Sequence, residues 1–156
     1  MSSSNNDTKE EVDYSAKNEA EITAYIAENH LDAKRTDSGL YYVINDKGTG
    51  KQANATSTVT VFYKGYLIDK TPFTQSLDAG DSMNLQGMIK GWIEGISMFK
   101  EGGSGILLIP AHLAYGGANR DKIPAGSVLI FEVKLVSVEF SAANEAQIEN
   151  ILQTIN

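Results

Sequence analysis

The 156-residue chain contains no cysteine, which excludes a disulfide frame, a thiolate zinc site and a cysteine nucleophile. It is also poor in cations: 13 Lys and Arg stand against 20 Asp and Glu, leaving a net charge of -7. Nucleic-acid binding needs clustered basic residues to displace phosphate counterions, so that class of partner is excluded as well. No apolar run approaches the roughly 18 residues that cross a bilayer. The chain opens on MSSSNNDTKEE, which has neither the basic start nor the apolar centre of a secretory signal. There are only two histidines, His30 and His112, and they are not at metal-ligand spacing, so no metal and no cofactor is expected. Ser76, Ser97 and Ser104 lie in no GxSxG-like elbow. GTGK at Gly48 to Lys51 lacks the full phosphate-loop spacing and is followed by a strand pattern, so it reads as a turn.

What the chain does have is apolar content of 42%, enough for the core of one domain of ordinary size. Residues 1–15 are polar and acidic and are expected to be a disordered leader, because they cannot bury enough surface to offset the entropy of ordering. Residues 16–37 form an N-terminal helical extension, with Ile22, Tyr25 and Ile26 at helical spacing between Ala16 and His30. LYYVIND and Ser57 to Ile68 read as strands, with Gly65 marking a bulge or a close approach. Thr71 to Gly80 reads as an irregular loop carrying Pro72 and Phe73, followed by a short MNL strand.

Met88 to Phe99 is expected to be a short helix whose Ile89, Trp92, Ile93 and Ile96 share a face. Gly91 and Gly95 each lower helix propensity by about 1 kcal/mol, so they should serve close packing. ILLIP is a buried strand, Ala111 to Ser127 a long loop, and Val128 to Phe140 the longest alternating run. Residues 141–156 form a C-terminal helix capped by Ser141, with Ile148, Ile151, Leu152 and Ile155 on one face. The fold class is α+β: an antiparallel sheet wrapped on one short central helix, with helical extensions at both ends. Each end helix could pack on its own domain or on a second copy of the chain.

The aromatic residues Tyr63, Phe73, Trp92, Tyr115 and Phe131 could be core residues or the lining of a cavity. Those in Gly- and Pro-rich loops favour the cavity, because loops on a rigid scaffold carry binding residues. VFYKGYLID from Val61, PFTQS from Pro72, MIKGWIEGI from Met88, LLIPAHLAYG from Leu107 and IPAGSVLIFEVKL from Ile123 follow one another in order. In these blocks the chain resembles the FKBP-type peptidyl-prolyl cis-trans isomerases, over roughly Ser38 to Glu139 and within a domain of residues 38–140.

The resemblance implies a twisted antiparallel sheet of five or six strands around one helix, and catalysis of rotation about X-Pro bonds in polypeptides without a cofactor. It implies Trp92 as pocket floor and Tyr63, Phe73 and Phe131 as walls. Met88 and Ile89 would form the rim, with the Ile89 N–H donating to a bound carbonyl. Tyr115 would supply a hydroxyl to the substrate backbone, and Ile123 would cover the site.

Thr74 stands where the family pattern has Asp, removing a carboxylate that braces the site. Gly80 and Asp81 occupy the region of a usual aromatic, opening one wall, and Ala125 replaces a second proline. Proline-containing polypeptides are the expected partners and macrolide inhibitors the expected ligands, with a homodimer through the terminal helices as a further reading. A non-catalytic peptide-binding or chaperone module is the alternative activity. The leader, helix and TDSGLYYVI order is similar to envelope lipoproteins of this family from Bacteroides-like bacteria. That implies a periplasmic or envelope location through a lipid anchor absent from this chain, with the cytoplasm as the alternative.

Overall fold

A computed structural model describes residues 12–139 and 150–155. Of the leader expected at residues 1–15, residues 1–11 lie outside the described residues, as do the Ser141 cap and Ile148 expected in the C-terminal helix; Ser15 already belongs to a helix.

The sheet follows from two long alternating segments. Strand β3 (Thr58–Leu67) pairs along its whole length with β7 (Leu129–Glu139), and β6 (Ser104–Ile109) lies on the other side of β7. Outside β6 come β2 (Tyr41–Asp46) and the two-residue β1 (Lys34–Arg35); outside β3 come β4 (Pro72–Gln75) and β5 (Asp81–Asn84). The order is β1-β2-β6-β7-β3-β4, with β5 also on β3, and every pairing is antiparallel. This is the expected architecture with two short strands added. β4 and β1 arise where the sequence read as loop and as helical extension, because neither a Pro-led run of four nor a pair of basic residues shows strand periodicity.

The apolar run in β6 has a simple cause: both faces of the sheet centre are covered. Side chains alternate along a strand, so Leu107 and Ile109 face one cluster while Leu108 faces another. On the first face lies α2 (Lys90–Ile96), two residues shorter at its start than the sequence implied, because Met88 and Ile89 are extended. Trp92, Ile96 and Phe99 pack there against Leu107, Leu129, Phe131, Val133 and Leu135. Gly91 and Gly95 permit this approach. A Cβ at Gly91 would lie 2.5 Å from Ile109, and one at Gly95 2.6 Å from Leu107.

Helix α1 (Ser15–Glu28) covers the opposite face. Its start is met by Asp13, whose carboxylate accepts the Ser15 N–H at 2.9 Å, and Lys17 pairs with Glu21 one turn later. Ile22 is buried on Tyr41, Leu108, Val128 and Ile130, with Tyr25 and Ile26 beside it. The Tyr41 hydroxyl donates to Glu19, fastening helix to sheet. Of the two packings open to this helix, it takes the one on its own domain. Residues 150–155 are helical, with Ile151, Leu152 and Ile155 exposed.

Candidate active site

A cavity of about 680 Å³ opens where α2, the central strands and the long loop after β6 meet. Its floor is Trp92, 1% exposed. Tyr63 on β3 and Phe131 on β7 stand edge-on to the indole, with ring centroids at 5.0 and 5.2 Å and planes at 89° in both cases. Phe73 on β4 meets Phe131 at 5.6 Å. Such edge-to-face contacts set the electropositive rim of one ring against the face of the next, and each adds about 0.5–1.5 kcal/mol beyond burial.

Gly65 makes the wall possible. It sits between register partners Phe131 on β7 and Thr74 on β4, and a Cβ there would fall within 2.8–2.9 Å of Phe131, Thr74 and Phe73. The register against β4 also shifts beside it, so both readings of this glycine, bulge and close approach, apply.

Met88, Ile89, Thr74, Tyr115 and Ile123 also line the cavity, and the chain thus brings together every site residue singled out in the sequence. Phe73 arrives on a strand rather than on the expected loop. Ile89 precedes α2 with φ -62° and ψ 154°, and its N–H has no acceptor among the described residues. Its carbonyl accepts from Trp92 and Ile93 at 2.9 and 3.1 Å, starting the helix. Tyr115 follows the 3-10 turn Ala111–Leu113.

The long loop is braced at several points. Gly116 N–H donates to Ala111 at 2.7 Å and Gly126 N–H to Gly116 at 2.8 Å, and Asn119 accepts from Ala125 at 2.9 Å. Gly126, at φ +75°, lies under the Tyr14 ring, where a side chain would have neither the backbone conformation nor the room.

Two polar residues have roles that the sequence reading does not give them: Asp81 reads only as part of an opened wall, and Arg120 is not singled out. The Tyr63 hydroxyl donates to Asp81 Oδ2 at 2.9 Å, and Asp81 Oδ1 accepts the Leu77 N–H at 3.1 Å. Burial, then this carboxylate, pushes the Tyr63 hydroxyl above its ordinary pKa. Asp81 therefore braces the pocket tyrosine although position 74 holds Thr. Arg120, the second, lines the cavity with its guanidinium 4.6 Å above the Tyr115 ring. No helical or strand periodicity marks either residue. His112 lies outside the lining, with Nε2 2.6 Å from the Ser38 carbonyl.

The arrangement offers an aromatic slot lined also by Ile89, whose N–H is unengaged, and by Tyr115, with no carboxylate among the described residues of its lining. Sheet, helix and aromatic slot together define a small α+β domain whose central strands and one short helix wall an aromatic cavity. Residues 49–136 match the FKBP-type peptidyl-prolyl cis-trans isomerase family, and the chain belongs to that family. It is 43% identical over 110 residues to the FKBP-type peptidyl-prolyl cis-trans isomerase FkpA of Buchnera aphidicola, a match covering 69% of this chain and 44% of that protein. It is 37% identical over 142 residues to FkpA of Aeromonas hydrophila, covering 88% and 53%. The crystal structure of FkpA from Escherichia coli superposes with a TM-score of 0.69 at 38% identity, over 80% of this chain and 61% of that one. A peptidyl-prolyl cis-trans isomerase from Pseudomonas syringae gives a TM-score of 0.70 at 28% identity, over 84% and 99%. The chain spans about half the length of the curated relatives it matches.

Proposed function

We propose that this chain accelerates cis-trans rotation about X-Pro bonds in polypeptides. The observation that carries the reading is the buried Trp92 indole flanked edge-on by Tyr63 and Phe131. Rotation of a peptide bond breaks amide resonance and meets a barrier of about 18–20 kcal/mol, so uncatalysed X-Pro exchange takes tens to hundreds of seconds. The twisted amide is less dipolar than the planar one. A dry aromatic slot therefore disfavours the planar ground state more than the twisted transition state, which lowers the barrier.

In this mechanism the proline ring sits on Trp92 between Tyr63, Phe73 and Phe131. Ile89 N–H and Tyr115 hydroxyl hold the flanking backbone while the amide turns, and Met88, Thr74 and Ile123 close the rim. No proton is transferred, so the step needs no acid or base. The same slot would take a macrolide inhibitor.

The test is the exchange rate of a short X-Pro peptide with wild type, Tyr115→Phe and Trp92→Leu. Acceleration should fall about fivefold for the lost Tyr115 hydrogen bond and further for the altered floor. A folded wild type without acceleration would leave the non-catalytic peptide-binding module.

Envelope location rests on the resemblance of the leader and first helix to envelope lipoproteins; cell fractionation of the full-length precursor tests it. Among the described residues no helix is long and apolar enough to cross a membrane. The exposed Ile151, Leu152 and Ile155 favour self-association through the C-terminal helix. Sedimentation should then show a dimer that dissociates when residues 141–156 are removed.

A further inference from the structure

Among the described residues that line the cavity, Arg120 is the sole charged side chain. Its guanidinium has no carboxylate within ion-pair distance among the described residues, where the ion pairs are Lys17–Glu21, Arg35–Glu19 and Lys51–Glu101. Nor does any of its side-chain N–H groups meet an acceptor there. The guanidinium lies over the Tyr115 ring with its Cζ 4.6 Å from the centroid, a contact with a ring face that uses none of its N–H donors on an oxygen.

The backbone beneath is fixed. Arg120 N–H donates to the Ile123 carbonyl and Ile123 N–H to the Arg120 carbonyl, both at 2.9 Å, with Lys122 at φ +68° making the turn between them. One tight turn therefore aims both Arg120 and Ile123 at the same opening. A pre-set fork of this kind matches a carboxylate and repels a second cation.

From this geometry, and resting on the isomerase reading, we infer that Arg120 selects substrates carrying Asp or Glu directly before or directly after the proline and disfavours those carrying Lys or Arg there. The overall charge of -7 opposes the approach of acidic segments at a distance, but at physiological ionic strength that field is screened beyond about 8 Å. At contact the local cation decides.

The test uses end-blocked peptides with Glu, Gln or Lys directly before or directly after proline. Exchange is read by NMR, and binding by the fluorescence of Trp92, the chain's single tryptophan. Wild type should favour Glu over Lys by about tenfold in kcat/KM on at least one side of the proline, as suits a charge-assisted contact partly open to water. The preference should shrink at high salt, fall to within about twofold in Arg120→Gln, and reverse in Arg120→Glu. Equal acceleration of Glu and Lys peptides by wild type, or a preference that survives Arg120→Gln, overturns the inference while leaving the isomerase intact. Acceleration of no peptide defeats the isomerase reading. The charge preference is then judged on Trp92 titrations alone, where equal affinities, or binding of neither peptide, overturn it too.

Discussion

Asn18 and Gly126, 108 residues apart in the chain, are joined by a buried hydrogen bond of 3.0 Å from the Asn18 Nδ2 to the Gly126 carbonyl. The same carboxamide accepts the Ala111 N–H at 2.9 Å through Oδ1, and Asn18 is 1% exposed. One side chain of α1 thus pins both ends of the loop that carries Tyr115, Arg120 and Ile123. Asn18→Leu leaves a buried N–H and a buried carbonyl unpaired, and should cost about 2–3 kcal/mol in thermal or urea unfolding. Amide exchange should accelerate across residues 111–126 but not in α2. Uniform acceleration in both would show that Asn18 serves global stability only.

The Tyr63–Asp81 bond predicts coupling rather than simple loss. Asp81→Asn weakens the charge-assisted acceptor, and Tyr63→Phe removes the donor. Each should lower kcat/KM about three- to tenfold, as the loss of one hydrogen bond to a charged group implies. The double variant should be little worse than either single one, because both delete the same interaction. Fully additive losses would mean that Asp81 acts on something other than the Tyr63 ring.

For Gly95→Ala two effects oppose one another. Helix propensity gains about 1 kcal/mol, while a methyl 2.6 Å from the fully buried Leu107 overpacks a site where nothing can withdraw, at about 1–3 kcal/mol. Net destabilisation is expected, and Gly91→Ala, facing Ile109 at 2.5 Å, should behave alike. A raised Tm in either variant would show that the sheet yields.

Glu101 predicts how stability responds to acid. Hydrogen bonds from the Val138 N–H at 2.8 Å and the Lys51 N–H hold its carboxyl below the ordinary value of 4.5. A group depressed in the folded state adds stability above its unfolded pKa, and that contribution fades as pH falls through the folded value. Wild type should therefore lose stability below about pH 4.5, and Glu101→Gln should flatten that limb. Unfolding midpoints measured across acidic pH check it; parallel curves would assign the loss to other carboxylates.

Periodicity made the main strands and the central helix legible, and with them the close packing of Gly91 and Gly95, because alternation and helical spacing report which face is buried. Where a segment is short or polar the pattern is silent. Pro72 to Gln75 owes its strand to pairing with β3, so Phe73 read as a loop residue. The apolar stripe of α1 told that it packs but not on what, since a stripe carries no address. The roles of Asp81 and Arg120 were not legible for a related reason: each acts through a ring brought beside it by the chain's three-dimensional path. The convergence of Tyr63, Trp92 and Phe131 was legible only through ordered motif blocks, for no local rule brings β3, α2 and β7 to one point.

Strand β7 lies in the middle of the sheet although it is the last strand among the described residues. Tyr63 and Phe131 therefore cannot meet until Leu129–Glu139 slides between β6 and β3, a closure over long sequence separations that makes folding slow. On a ribosome, everything up to the long loop emerges before its partner strand exists, with the edges of β3 and β6 unpaired. This chain thus spends its own synthesis in the exposed, half-assembled condition of a polypeptide that has yet to fold.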